Sequence, residues 1–168
     1  METKSRGIFF LRAALGLGML FAGADKFFMW ASGKAFTSAG YLVHGTGGVW
    51  LGSTTPVNPT QSFWVSIGQN ASLVSIFDTL VVFGEVAIGV ALIVGLATRF
   101  SAVMCVLLMS LLYVSNWSFA NGPFNEQFMY GAIAATIVMV GAGAYALDTV
   151  IEKLAIAQRV PALKYVLG

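Results

Sequence analysis

Phe83-Gly84-Glu85-Val86-Ala87-Ile88-Gly89 sets a carboxylate inside an apolar run, Leu73 to Phe100, that is otherwise interrupted only by Asp78 and Arg99. A run of that length spans a bilayer as a helix, and Glu85 falls near its middle. An ionisable group at that depth costs roughly 3 kcal/mol on insertion scales and more in simulations. Glu85 is therefore expected to face protein, water or a ligand, and to have a partner. Gly84 and Gly89 bracket it, so a neighbouring helix or a flat ligand can approach the backbone.

Composition places the whole chain in the same setting. Its 168 residues are 58% hydrophobic and 10% charged, with a mean hydropathy of +0.83, whereas soluble domains carry about 25% charged residues. This is an all-α membrane protein in contact with the lipid bilayer. The net charge of +2 gives no reason to expect nucleic acid. One cysteine, Cys105, and one histidine, His44, exclude an intramolecular disulfide, a CxxC pair, a zinc cluster or a bis-histidine haem within this chain. No metal or haem is expected, so any redox groups belong to substrates or a partner. Cys105 reads as inert packing in an apolar helix.

Four spans are predicted in one domain, over about 7–30, 73–98, 100–117 and 127–147: a four-transmembrane-helix bundle. The first is too long for a cleaved leader and carries Arg12, Asp25 and Lys26, so it is expected to be retained. The long connection from Ala31 to Ser72 is rich in Gly, Ser, Thr and Pro, and is expected to carry short helices. Asn58-Pro59 predicts a helix N-cap with proline at the first position, followed by an amphipathic helix over Thr60 to Gln69. A second short helix is predicted over Lys34 to Val43, and His44 to Gly52 reads as a flexible, lid-like stretch around Trp50. Asn121-Gly122-Pro123 predicts the turn before the fourth span. Residues 150–164 form an amphipathic surface segment, broken at Pro161.

The positive residues orient the spans. Lys4, Arg6 and Arg12 precede or begin the first, Arg99 marks the turn between the second and third, and Lys153, Arg159 and Lys164 follow the fourth. The positive-inside rule puts both termini and the Arg99 turn in the cytoplasm, and the long loop outside the cytoplasmic membrane. Trp30, Trp64 and Trp117 then fall at the outer boundary as an aromatic belt. Measured from the span ends, Lys26 lies level with Asp78, which predicts a Lys26–Asp78 pair, with Asp25 as the other acidic neighbour. Asp78 and Glu85 share a helix face two turns apart. With Asp25 they would form an acidic column from the outer surface to mid-bilayer. Arg12, Arg99 and Asp148 are expected to meet at the cytoplasmic end, and Arg12 reaches Glu85 only if the first helix is shifted.

Arg12…Gly16…Gly23-Ala24-Asp25-Lys26-Phe27, Gly84-Glu85…Gly89…Leu92…Gly95…Thr98-Arg99 and Gly141-Ala142-Gly143-Ala144-Tyr145-Ala146-Leu147-Asp148 together resemble the signatures of the DoxX/DoxD superfamily of small four-helix membrane proteins. The long outer loop and the Asn121–Met129 region are most similar to the DoxD type. That resemblance implies the membrane subunit of a thiosulfate:quinone oxidoreductase, in which thiosulfate is oxidised to tetrathionate and a membrane quinone is reduced. It also implies a DoxA-type partner subunit, which this chain does not include; a homo-oligomer is equally compatible.

The chemistry asks for an anion site near the outer surface, a site for a flat apolar quinone, and protons. Glu85 and Asp78 are the catalytic candidates. Lys26, Lys34 and His44 are the outward cations for a small sulfur oxyanion, with Asp25, Arg12 and Arg99 completing the charged candidates for substrate binding. Phe83, Gly84, Gly89, Tyr113 and Tyr130 are the quinone-pocket candidates. The same inventory fits a non-catalytic anchor or assembly partner of a redox complex, or a small-solute carrier with a proton path along the acidic column.

Overall fold

The computed structural model describes residues 2–34, 36–48, 57–119, 122–153 and 163–168. Every regular element among them is helical: α1 (Glu2–Ala31), a π-helical turn (Tyr41–Gly45), α2 (Gln61–Gly68), α3 (Ala71–Val94), α4 (Thr98–Asn116), α5 (Glu126–Val140), α6 (Asp148–Ile151) and α7 (Leu163–Val166). Three of them, α1, α3 and α4, are long and apolar enough to cross a membrane. They are apolar around their circumference rather than along one stripe. Phe10, Phe21, Phe28, Leu80, Phe83 and Leu107 all stay exposed, as expected of helices whose outer surface meets lipid.

The helix ends follow from local chemistry. The Asn70 side chain accepts from the Ser72 and Leu73 amides and starts α3. Gly95, in the left-handed region at φ 73°, ends it. Asn125 caps α5 through the Phe128 amide at 2.9 Å. Asn58 caps the entry to α2 as its motif predicts: its Oδ1 accepts the Thr60 amide at 2.9 Å, and Pro59 and Thr60 turn into the regular helix at Gln61. Its side-chain amide also holds the chain together, donating to Thr46 O at 2.8 Å and Ser115 O at 3.1 Å. Only the end of the helix expected over Lys34 to Val43 forms, as the π-helical turn. Residues 49–52 of the lid-like stretch, Asn121 and residues 154–162 of the C-terminal segment lie outside the described residues.

α1 packs along α3, α4 along α5, α3 against α4, and α1 against α5. Leu15, Met19, Ile88, Leu92, Cys105, Met109 and Ile137 form the core between them. The α1–α3 crossing is made by small residues. A Cβ added at Gly16 would stand 3.0 Å from Ile93 N, one at Gly89 2.6 Å from Leu20 N, and one at Gly23 2.8 Å from Val86 N. Close backbone approach of this kind is how helices associate where lipid removes the hydrophobic drive between them.

The fourth predicted span is corrected. α5 has 15 residues, about 22 Å at 1.5 Å per residue, and stops at Val140. Gly141 and Gly143 adopt positive φ angles of 88° and 69°, so the glycines read as helix packing surface instead break the helix. The second span likewise ends at Val94, and Arg99 lies in the first turn of α4 rather than in the connection. Residues 141–148 are stitched across the end of the bundle. Arg12, wholly buried, donates to Ala142 O at 2.7 Å and Tyr145 O at 3.0 Å. Asp148, also wholly buried, accepts the Ala97 and Thr98 amides at 2.7 Å each and so caps α4 from 50 residues away. Arg12 and Asp148 thus each bind backbone groups, and Arg12 stays far along α1 from Glu85.

Candidate functional site

The glycine crossing fixes the register of α1 on α3. Gly16 faces Ile93, Leu20 faces Gly89 and Gly23 faces Val86. Continued antiparallel, this register puts Lys26 level with Phe83, and Asp78 level with Ala31 at the end of α1. The expected Lys26–Asp78 pair is therefore out of register by about a turn and a half. Lys26 instead pairs with Glu85, Nζ to Oε2 2.5 Å, and donates a second bond to Ala22 O at 3.2 Å. The Lys26 side chain is 23% exposed and that of Glu85 5%.

α3 runs beyond the end of α1, and the chain after α1 folds back over the gap. Trp30 Nε1 donates to Phe36 O at 3.1 Å, and the Ser38 amide donates to Asp78 Oδ1 at 3.0 Å. The Tyr41 hydroxyl lies 3.0 Å from Ser115 Oγ on α4. Beneath this cover is a cavity of about 200 Å³, lined by Lys26, Glu85, Asp78, Ser38, Tyr41 and Thr37, with Phe36, Phe77, Val81 and Leu112 as apolar walls. Ser38 is buried and its hydroxyl has no partner. A second hollow of about 510 Å³ adjoins it, sharing Phe36, Thr37 and Asp78 and lined further by Trp30, Gln69 and Ser75.

The structure thus brings together Lys26, Glu85 and Asp78 among the predicted residues. Asp25 is exposed and leaves the acidic column, lining a separate open groove with Lys34. His44 is exposed on the π-helical turn. Arg12 and Arg99 lie at the opposite end of the bundle. The slot expected around Gly84, Gly89 and Phe83 does not form. Gly89 is filled by the α1 backbone, Gly84 meets open space, and Phe83 is exposed with its ring 6.2 Å from those of Phe27 and Trp30. Tyr130 packs its hydroxyl toward Gly18 of α1. Tyr113 lines a different cavity, about 470 Å³, between α4 and α5, with Met109, Ser110, Phe128, Gly131 and Ala132.

Phe36, Thr37, Ser38 and Tyr41 were not legible as site residues. They sit 36 to 42 positions from Phe77 and Asp78, the α3 residues that line the same cavity, in a segment with no local motif. No group of three or more His, Cys, Asp or Glu is placed to hold a metal among the described residues.

Three apolar helices around a partly buried ammonium–carboxylate pair define a multi-pass membrane protein with a small charged cavity. The family model described as TQO small subunit DoxD matches residues 8–164, and the chain belongs to that family. No curated protein and no solved structure matches it.

Proposed function

We propose that this chain is the membrane subunit of a thiosulfate:quinone oxidoreductase, with the Lys26–Glu85 cavity as its anion site. Family membership supplies the reaction class. The observation that carries the site is the Lys26–Glu85 pair, held in a cavity of about 200 Å³ beside a second buried carboxylate, Asp78. That volume suits a small oxyanion and lies below the usual 300–1,000 Å³ range of sites for larger ligands. Both termini are cytoplasmic, with α5 as the fourth crossing, so the cavity, at the far end of α1, opens toward the outer face. Thiosulfate enters there and is held by Lys26. The quinone ring occupies the cavity beside Tyr113, about 470 Å³ and lined mainly by apolar side chains. α4 stands between the two, giving Leu112 to one and Tyr113 to the other.

Two thiosulfates form one S–S bond and release two electrons; the quinone takes up two electrons and two protons. Glu85 and Asp78 are this chain's buried proton carriers on the donor side. The companion DoxA-type subunit completes the enzyme. The test is thiosulfate-dependent reduction of a short-chain quinone analogue by the purified chain, alone and with that partner. Turnover in either preparation supports the proposal. No turnover in both refutes it in favour of an anchoring role.

A further inference from the structure

The cavity holds more negative than positive charge. Lys26 brings one ammonium from α1, whereas Glu85 and Asp78 bring two carboxylates from α3. Among the described residues, the covering segment contributes the hydroxyls of Thr37, Ser38 and Tyr41 and the Phe36 ring, and α4 contributes Leu112. Other charged groups stand away from it: Asp25 and Lys34 line the separate open groove, His44 is exposed, and Arg12 binds carbonyls at the far end of the bundle.

Donors for an oxyanion are nevertheless in place. An ammonium has three hydrogens; Lys26 gives one to Glu85 and one to Ala22 O, leaving one. The buried Ser38 hydroxyl is also unused. What the cavity lacks is compensating charge. A divalent anion entering beside two ionised carboxylates would set four negative charges against one positive, in a space of about 200 Å³ where both carboxylates are buried. Uncompensated charge weighs far more there than in bulk solvent.

We propose that anion and proton enter this cavity together: as a divalent sulfur oxyanion takes over Lys26, Glu85 releases the ammonium and takes up one proton. The identity of the anion rests on the function proposed above; the coupling is new. The Lys26–Glu85 contact breaks, an O–H bond forms at Glu85 with a proton drawn from water, and the Lys26–anion contact forms. No electrons move in this step. Asp78 keeps its place, anchored by the Ser38 amide. The adjoining hollow, bounded by Gln69 and Ser75, gives water a way to the Asp78 side of the cavity. Glu85 is then protonated beside the anion when electrons leave, holding one of the two protons that quinone reduction consumes.

The test is calorimetric titration of the full chain in nanodiscs with sodium thiosulfate, in buffers of differing ionisation enthalpy and across a pH series. The expected result is about one proton taken up per anion, with affinity falling about tenfold per pH unit wherever Glu85 is ionised in the unliganded protein. Glu85→Gln should bind thiosulfate without proton uptake and without that pH dependence. Thiosulfate binding by the parent with no proton uptake overturns the coupling and leaves the anion site standing. Proton uptake that persists in Glu85→Gln also overturns it, because another group is then the acceptor. No binding by the parent overturns the anion site together with the coupling. The parent's proton count needs no variant, so a Glu85→Gln chain that failed to fold would leave the test intact.

Discussion

Replacing Arg12 separates scaffold from site. Its guanidinium is wholly buried and donates to Ala142 O at 2.7 Å and Tyr145 O at 3.0 Å, with a longer 3.4 Å contact to Ala144 O that adds little. Hydrogen bonds to a charged group contribute about 1.5–3 kcal/mol each, so Arg12→Leu is expected to cost about 3–6 kcal/mol through two orphaned carbonyls. Arg12→Lys keeps the charge but loses the fork that reaches two carbonyls at once, so about half that loss is expected. At roughly 2–4 °C per kcal/mol for a chain of this size, Arg12→Lys should melt about 3–12 °C below the parent. Thermal unfolding in one detergent, followed by thiosulfate titration of the folded fraction, reads both quantities. Lower melting with unchanged thiosulfate affinity is the expected pair of results. Parental melting with weakened thiosulfate binding would refute the scaffold role and move Arg12 into the anion site.

Three further outcomes are expected. Glu85→Gln should insert and purify like the parent yet lose most thiosulfate-dependent quinone reduction; a stable variant turning over at the parental rate would exclude Glu85 as a proton carrier. Ala132→Phe, filling the cavity beside Tyr113, should raise KM for a quinone analogue severalfold while leaving thiosulfate affinity unaltered, and the opposite pattern would exchange the two sites. For orientation, Ser32→Cys and Glu152→Cys place thiols at exposed positions while the native Cys105 is buried. An impermeant maleimide on intact cells should label position 32 and not position 152; the reverse would invert the topology.

The helical class and the need of Glu85 for a partner were legible because hydropathy and the cost of a buried charge act locally along the chain. The partner of Glu85 was not. Depth measured from span ends assumes that α1 and α3 finish level, but Gly16, Gly23 and Gly89 set the actual register, and α3 overruns α1. Those glycines were visible as packing devices, yet nothing in one sequence says which glycine meets which residue. The end of α5 was open to a better reading. Gly141-Ala142-Gly143 carries the signature of a helix stop, and hydropathy alone carried the predicted span on to Leu147. Arg12, Gly95, Thr98 and Asp148, which share the family-like motifs with Lys26 and Glu85, turn out to occupy the opposite end of the bundle. Motif membership did not distinguish the residues that hold the fold from those that line the cavity.

Stability gives no reason for an ion pair at Lys26 and Glu85. Desolvating both charges offsets most of their attraction, and replacing a buried pair with apolar groups of similar size is often neutral or stabilising by 1–4 kcal/mol. The pair is not needed to bring α1 to α3 either, because the contacts at Gly16, Gly23 and Gly89 already do so. Removing one partner is different: Lys26→Met leaves the buried Glu85 either charged without a cation or protonated, and should cost up to about 3–5 kcal/mol, the most at high pH, where the proton is hardest to supply. The double variant Lys26→Met, Glu85→Leu should therefore melt at or above the parent's temperature while binding no thiosulfate. Thermal unfolding and thiosulfate titration of the parent, Lys26→Met and the double variant test this directly. A double variant that melts as low as Lys26→Met would show that the pair itself holds the helices together. One that melts like the parent and still binds thiosulfate would remove the anion from this cavity.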